Sequence, residues 1–147
     1  MASQRILALG LMSFSMAVSA ASLLQPQGKA DALLPVDQAF QFQGATHRGQ
    51  EIALDWVVSP GYYLYGHTLK VTVDAPANAP FSGPVLGKGE FLKDAEFGNV
   101  EVYRGGMQAK LVLAADGATP RTLRVRYQGC ADIGVCYPPQ TRIVAVK

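Results

Sequence analysis

Two cysteines, Cys130 and Cys136, are the side chains in this sequence best suited to do chemistry, and the chain has no others. They lie in the segment GCADIGVCYPP, where five residues separate them. A nearby pair of thiols can form a disulfide, which is either a structural cross-link or the working centre of thiol–disulfide exchange. The flanking segments RVRYQGC and CYPPQTRIVAVK predict a β-hairpin, because facing residues of paired strands approach the Cα separation of about 4.4 to 6.8 Å that a disulfide requires.

A disulfide that closes so short a loop is a modest cross-link. Closing about seven residues should stabilise a fold by about 2.4 kcal/mol, against about 4.7 kcal/mol for a loop of about 100 residues. The apolar strand pattern elsewhere is sufficient to build a core in a domain of this size. The fold therefore does not obviously depend on the bridge, and chemistry alone leaves the structural and the redox alternatives open.

Metal binding is a third alternative for the two thiols. Together with His47, His67 or Met107 they would suit a soft ion such as Cu(I). The Cys-x5-Cys spacing matches no common metal-binding motif, and isolated histidines in strands or loops are more often surface residues. We therefore predict no metal site and no cofactor.

The elements that must position the cysteines are predicted to be short strands, because apolar residues recur at every second position. Four such faces are Ile52, Leu54, Trp56 and Val58; Leu69, Val71 and Val73; Met107, Ala109, Leu111 and Leu113; and Leu123, Val125 and Tyr127. Turn signals separate the strands, and helical periodicity is absent after the first twenty residues. About seven strands in this arrangement predict an all-β fold, an immunoglobulin-like antiparallel β-sandwich. The cysteines are too close in sequence to form the inter-sheet bridge that is usual in immunoglobulin domains.

The first twenty residues have the parts of a secretory signal peptide. Arg5 precedes an apolar run from residue 6 to 18, which is too short to span a bilayer and ends in small residues. We predict a cleaved signal peptide over residues 1–20, a tail over 21–34 and one folded domain over 35–147. The product should be a soluble, exported protein, and a formal net charge of +2 does not suggest a nucleic-acid-binding surface.

The cysteine segment also carries a family resemblance. YQGCADIGVCYPPQT resembles the active-site hairpin of the N-terminal periplasmic domain of the thiol:disulfide interchange protein DsbD, and it matches every fixed position of that family's pattern. The segments GYYLYGHTLKV, EVYRGGMQAKLVL and VDQAF agree as well. The resemblance covers about residues 35–147, and it implies an immunoglobulin-like domain that carries electrons by thiol–disulfide exchange.

Roles for individual residues follow from the resemblance. It implies that Cys136 forms the mixed disulfide with a partner and that Cys130 closes on it to release that partner. In the family an aromatic-bearing loop caps the cysteines, and the corresponding residues here are Asp94, Ala95, Glu96, Phe97 and Gly98. Phe97 is thus the candidate shield, although the family shows two aromatic residues where this chain has one. The alternative for Phe97 is ordinary packing on the sandwich.

Tyr63 and Tyr65 match family tyrosines near the site, and packing without a functional role is the alternative for both. Asp94 or Glu96 could disfavour a nearby thiolate and keep a waiting thiol unreactive, unless they are simply solvated. The family's membrane section and its thioredoxin-like domain have no counterpart in this sequence, so we expect a free-standing version of the module.

We therefore expect a monomeric periplasmic thiol–disulfide carrier, an enzyme of the protein-disulfide reductase type. A membrane thiol reductase or a thioredoxin-like domain would donate electrons to it. The acceptors would be periplasmic disulfide proteins such as isomerases or cytochrome c maturation factors. The principal alternative is an immunoglobulin-like interaction module whose hairpin disulfide is purely structural.

Overall fold

The computed structural model describes residues 32–77 and 79–147. The predicted signal peptide, residues 1–20, lies outside the described residues, as does the predicted tail up to residue 31. Within the described part of the chain, no helix has both the length and the apolar character needed to cross a membrane.

Strands make up almost all of the regular structure, which confirms the predicted all-β class. The strands are β1 (Phe40–Arg48), β2 (Glu51–Val58), β3 (Tyr62–Tyr65), β4 (Lys70–Ala75), β5 (Phe81–Leu86), β6 (Glu90–Asp94), β7 (Gly98–Tyr103), β8 (Gly106–Leu113), β9 (Thr122–Tyr127), β10 (Gly129–Ala131), β11 (Val135–Cys136) and β12 (Gln140–Ala145). One turn of α-helix, α1 (Val36–Ala39), precedes β1, and a 3₁₀ turn, Gly66–Thr68, follows β3.

Twelve strands in the described residues exceed the seven or so that the alternation indicated. Part of the excess arises because a stretch that the sequence predicts as one strand is divided into two by a turn or by a change of sheet. The run into the first cysteine forms β9 and β10, and the run out of the second forms β11 and β12. The last strand, predicted in TRIVAVK, is confirmed as β12.

The strands form three antiparallel sheets, with the orders β1-β2-β8-β5, β11-β10-β3-β7-β6 and β12-β9-β4. Their inward side chains build one main core to which all three sheets contribute. The faces predicted from Ile52 to Val58, from Met107 to Leu113 and from Leu123 to Tyr127 are buried, so these predictions are confirmed. Alternation located these strands correctly because each has one face in the core and one in solvent.

The five-stranded sheet differs from the others because side chains are buried on both of its faces. All four residues of β3 are buried. Leu64 contributes to the main core, whereas Tyr63 and Tyr65 point to the opposite side. A second cluster on that side contains Tyr63, Tyr65, Val100, Val102 and Cys130, with Leu92 packed against it. This second face carries the cysteines.

The chain changes sheets at Gln128, between β9 and β10. The Gln128 N–H donates to Thr68 Oγ1 at 3.1 Å, and the Gln128 carbonyl accepts from the Tyr65 N–H at 3.0 Å. The Gln128 side-chain amide donates to the Tyr137 carbonyl at 3.1 Å. These bonds satisfy the backbone where it leaves one ladder for another, and they fix the direction in which the cysteine hairpin leaves the core.

Candidate functional site

A disulfide joins Cys130 on β10 to Cys136 on β11, as the hairpin prediction required. The two residues are direct cross-strand partners with a Cα–Cα distance of 3.9 Å. This distance is shorter than the expected range, because the pair is of the close type that exchanges no backbone hydrogen bonds. The flanking bond runs instead from the Tyr137 N–H to the Gly129 carbonyl at 3.0 Å.

The two cysteines differ in their access to solvent. Cys130 has 0% relative exposure and belongs to the second buried cluster. Cys136 is exposed and lies on β11, at the edge of the five-stranded sheet. An incoming protein thiol or disulfide can therefore reach Cys136 while Cys130 remains covered.

The burial of Cys130 depends on a close approach of β10 to β3 at Gly129. Gly129 faces Leu64 in the ladder, and Cys130 faces Tyr63. A Cβ atom on Gly129 would lie 2.4 Å from the Tyr63 carbonyl oxygen and 2.6 Å from the Phe40 ring. Only glycine fits there, so the residue before Cys130 sets how deeply that sulfur is buried.

Tyr65 connects the disulfide to an acidic residue of the predicted cap loop. Its hydroxyl donates to Asp94 Oδ2 at 2.6 Å. The same hydroxyl oxygen lies 3.4 Å from Cys130 Sγ and 4.0 Å from Cys136 Sγ. Tyr65 is thus the polar group that contacts both sulfurs.

The Tyr65–Asp94 hydrogen bond has opposite effects on the two pKa values. Burial and then the bond to Asp94 raise the pKa of Tyr65 far above its usual range. The bond from Tyr65, supported by backbone N–H groups, lowers the pKa of Asp94. At neutral pH the tyrosine therefore keeps its proton and Asp94 keeps its negative charge.

Asp94 also determines the shape of the loop that follows β6. Its Oδ1 accepts from the Glu96 N–H at 2.8 Å and from the Phe97 N–H at 2.9 Å. Gly98 ends the turn with φ +73°, a conformation that glycine adopts without steric cost. A single carboxylate thus orders the predicted cap loop and binds the tyrosine that contacts the sulfurs.

Phe97 packs on aromatic rings beside the disulfide. Its ring centroid lies 5.4 Å from that of Tyr65 and 4.9 Å from that of His67. The side chain is 44% exposed, and it lies outside the lining of the cleft that contains Cys136. Phe97 is therefore connected to the sulfurs through the Tyr65 ring, and its role as a shield stays a prediction.

Cys136 opens into a cleft of about 460 Å³. The lining consists of Tyr63, Tyr65, Leu92, Lys93, Asp94, Ala95, Glu96, Arg104, Asp132, Gly134 and Cys136. Beside it, Ile133 is 66% exposed and Val135 is 41% exposed. The exposed cysteine therefore lies between an acidic loop and two apolar side chains that solvent can reach.

The cleft brings together Cys136, both predicted tyrosines, Asp94 and Glu96, while Cys130 is buried behind Cys136 and Phe97 and Gly98 lie outside the lining. Sequence reasoning missed Arg104, which lies over the Tyr63 ring at 5.0 Å from its guanidinium carbon to the ring centroid. Its only signal was its position in the matched segment EVYRGGMQAKLVL. Nothing local in that segment indicates that Arg104 reaches the cysteine hairpin.

The residues considered for a metal site are dispersed. Met107 is buried in the main core. His47 is paired with Ile52 at the far end of β1, and His67 packs against Tyr65. Among residues 32–77 and 79–147, no three His, Cys, Asp or Glu side chains are grouped closely enough to hold a metal ion.

The family model for the N-terminal domain of the thiol:disulfide interchange protein DsbD matches residues 30–147. The DsbD protein of Cronobacter sakazakii is 44% identical over 145 residues, which are 97% of this chain and 24% of that protein. The DsbD protein of Ralstonia nicotianae is 39% identical over 137 residues, which are 92% of this chain and 22% of that protein. The chain thus spans about a quarter of the length of these relatives.

Two solved structures from Neisseria meningitidis resemble this fold. The reduced DsbD N-terminal domain superposes with a TM-score of 0.68 and 30% identity, covering 78% of this chain and 90% of that one. The second is a complex between the DsbD and PilB N-terminal domains. It gives a TM-score of 0.67 and 28% identity, with 79% of this chain and 88% of that one covered. These likenesses confirm the predicted immunoglobulin-like sandwich.

Proposed function

The chain belongs to the family of N-terminal domains of the thiol:disulfide interchange protein DsbD, and from that premise we propose that it passes electrons to other exported proteins through Cys130 and Cys136. The observation that carries the proposal is the unequal exposure of the two bonded cysteines. Cys136 is open at a sheet edge, while Cys130 has 0% exposure directly behind it. A structural cross-link has no need of this asymmetry, whereas an exchange reaction uses it.

The proposed reaction begins with the reduced dithiol. The Cys136 thiolate attacks one sulfur of a partner's disulfide, a mixed disulfide forms, and the partner's other sulfur leaves as a thiolate that takes up a proton. The Cys130 thiolate then attacks Cys136 Sγ, so that the intramolecular disulfide forms and the partner's second sulfur leaves as a thiol. Two electrons reach the partner, and both cysteines of this chain are oxidised.

The structure supports an electrostatic means of keeping the waiting thiols unreactive. The Tyr65 hydroxyl bond holds Asp94 in its charged form at neutral pH, and Glu96 lines the same cleft. A nearby negative charge disfavours a thiolate, and so does the apolar burial of Cys130. We assign to Asp94 and Glu96 the role of keeping the thiols unreactive, which we call the quieting role. A docking partner would reverse this effect by changing the surroundings of the cleft.

The segment from Asp94 to Gly98 is the proposed cap of the site. Phe97 is assigned the shielding role through its contact with the ring of Tyr65, whose hydroxyl contacts both sulfurs. Tyr63 supports Tyr65 with an edge-to-face contact at 5.3 Å. Movement of this segment would uncover the Tyr63 and Tyr65 rings and widen the access that a partner already has to Cys136.

The proposed partners follow from the family. A membrane thiol reductase or a thioredoxin-like domain would reduce the chain, and periplasmic disulfide proteins would accept its electrons. The solved complex of a related domain with the PilB N-terminal domain supports docking of a folded protein partner. The proposed compartment is the periplasm, on the strength of the signal-peptide pattern in residues 1–20. The chain would act as a monomer that docks transiently.

Trapping of the mixed disulfide tests this proposal. The variant Cys130→Ala, reduced and mixed with a thioredoxin-like protein whose single remaining active-site cysteine carries a thionitrobenzoate mixed disulfide, should accumulate a covalent complex and release thionitrobenzoate, because neither protein has a second thiol to break the new bond. The matched variant Cys136→Ala should accumulate far less, since its remaining cysteine is buried. Non-reducing electrophoresis and mass spectrometry measure both. Equal trapping by the two variants, or none by either, would favour the interaction module with a structural bridge.

A further inference from the structure

Arg104 follows β7 and is held by three different groups around the cysteine hairpin. Its Nη1 donates to Asp132 Oδ1 at 2.6 Å, and its Nε lies 3.5 Å from Glu90 Oε2. Its guanidinium carbon lies 5.0 Å from the centroid of the Tyr63 ring. The side chain is 32% exposed. Partners on three sides thus fix the position of a long and otherwise flexible side chain.

Asp132 belongs to the turn between the two cysteines, and it is tied to the body of the domain twice. Its carboxylate accepts from Arg104, and its N–H donates to the Gly61 carbonyl at 2.8 Å. Neither bond involves a sulfur atom. Both contacts therefore can persist when the Cys130–Cys136 bond is broken.

The turn needs such anchors because little else holds it in the reduced state. β11 contains only Val135 and Cys136, and it lies at the sheet edge with a neighbour on one side only. Without the disulfide, the distance between the two thiols depends on how well this short strand stays paired with β10. Holding two reacting groups together raises their effective concentration and favours bond formation between them.

We propose that Arg104 is a positioning residue that clamps Asp132, holds the reduced hairpin in its oxidised shape, and thereby favours closure of the Cys130–Cys136 disulfide. In closure the two thiols lose two protons and two electrons to an oxidant, and one S–S bond forms. In the cycle proposed above, on which the biological use of the clamp rests, that oxidant is the partner's disulfide, which becomes two thiols.

Whether loss of Arg104 weakens or strengthens the disulfide distinguishes positioning of the turn from a direct electrostatic effect on the thiolate. If the charge of Arg104 mainly stabilised a Cys136 thiolate, its removal would disfavour the reduced form and strengthen the disulfide. If Arg104 positions the turn, its removal weakens the disulfide. The two carboxylates of Asp132 and Glu90 already face the guanidinium, which leaves little positive charge to act on the sulfur.

The test measures the equilibrium between the full chain and dithiothreitol at pH 7, with the oxidised fraction obtained by alkylation and mass spectrometry. Arg104→Met should lower the equilibrium constant for disulfide formation by roughly three- to fivefold, the size expected for a half-exposed ion pair with a cation–π contact. That change corresponds to a potential about 14 to 21 mV less negative. Asp132→Asn should have a similar effect.

The double variant should show no greater effect than the larger single one, because both changes break the same contact. The matched control is Arg124→Met, which removes the exposed Arg124–Asp74 pair of 2.7 Å in another sheet and should leave the equilibrium constant unchanged. Urea unfolding of each oxidised variant verifies that it is folded. If Arg104→Met does not fold, the equilibrium constant of Asp132→Asn alone decides whether the clamp stands.

An unchanged or increased equilibrium constant in both single variants would overturn the clamp. Additive effects in the double variant would overturn it as well. The proposed function fails separately, if Cys130→Ala traps no mixed disulfide with the activated thioredoxin-like protein. The dithiothreitol equilibrium needs no protein partner, so each proposal can fail while the other stands.

Discussion

The Tyr65 hydroxyl donates to Asp94 Oδ2 at 2.6 Å, and its oxygen lies 3.4 Å from the sulfur of the buried Cys130. One side chain thus connects the acidic loop after β6 to the disulfide. The hydrogen bond holds the ring in place and keeps Asp94 charged. Reactivity at the sulfurs and order in the loop should therefore respond to the same substitutions.

Asp94→Asn should make Cys136 of the reduced chain more reactive. The substitution removes a negative charge from the cleft while it keeps the side-chain size, so a larger fraction of Cys136 should be thiolate. We expect alkylation by iodoacetamide at pH 7 to be roughly three- to tenfold faster than in the wild type. Rates for the two cysteines are obtained separately by peptide mass spectrometry.

Glu96→Gln, which changes the same kind of charge in the same cleft, should act in the same direction. A slower Cys136 in Asp94→Asn would rule out the quieting role.

Asp94 should also make the stability of the oxidised chain depend on pH in the acid range. The hydrogen bond from Tyr65 and the loop N–H groups lower the pKa of Asp94 in the folded state, below the value of about 3.9 for an unfolded aspartate. A lowered folded-state pKa means that the stabilisation is present above about pH 4 and is lost as the pH falls through the folded-state value. The free energy of unfolding of the wild type should therefore exceed that of Asp94→Asn most at neutral pH, and the two should converge as the pH falls through the lowered folded-state pKa of Asp94.

Urea unfolding at several pH values, with the disulfide intact so that no thiol titrates, provides this measurement. Asp116→Asn is the matched control, because Asp116 is exposed in the turn after β8. Its stability profile should follow that of the wild type. A constant gap between Asp94→Asn and the wild type from pH 7 to pH 2.5 would contradict the linkage.

Phe97→Ala should make the disulfide easier to reduce. Phe97 packs against Tyr65 at 5.4 Å, and the loss of that contact should allow the tyrosine ring to move away from the sulfurs. We expect the rate of reduction by dithiothreitol to rise by about threefold, because exchange rates depend on access to the attacked sulfur. A stopped-flow or quenched-alkylation time course measures the rate.

Phe91→Ala is the matched control for Phe97→Ala. Phe91 lies on the neighbouring strand β6 and is 81% exposed, so its removal costs little packing and leaves the site unchanged. The reduction rate of Phe91→Ala should equal that of the wild type. If both variants or neither are reduced faster, Phe97 has no specific shielding role.

Local patterns predicted the strands and the cysteine hairpin well. Alternation located β2, β8 and β9 because each buries one face, and the pairing of Cys130 with Cys136 needs only a turn between two short strands. The alternation of apolar and polar residues does not identify β3, since all four of its residues, Tyr62 to Tyr65, are buried and they lie on both faces of the sheet. Its second face belongs to the site.

The polar contacts of the site could not be predicted from local sequence patterns. Tyr65 and Asp94 are 29 positions apart, and Arg104 and Asp132 are 28 apart. They meet because the sheet order β11-β10-β3-β7-β6 brings distant segments side by side. Spacing along the chain does not specify that order. The family resemblance identified the acidic loop without showing that its carboxylate binds Tyr65.

Gly129→Ala should destabilise the domain and uncover Cys130. A Cβ atom at this position would lie 2.4 Å from the Tyr63 carbonyl oxygen and 2.6 Å from the Phe40 ring, so β10 must move away from β3. Forcing an extra carbon into a packed site typically costs 1 to 3 kcal/mol, and contact with a backbone oxygen places this case at about 3 kcal/mol. Gly87→Ala is the matched control, because a Cβ there meets nothing within 4 Å and should change stability by less than about 0.5 kcal/mol.

Since the displaced strand carries Cys130, alkylation of the reduced Gly129→Ala chain should also show that the rate for Cys130 comes closer to the rate for Cys136. Wild-type stability with an unreactive Cys130 would mean that the close contact of β10 with β3 does not control the burial of that sulfur.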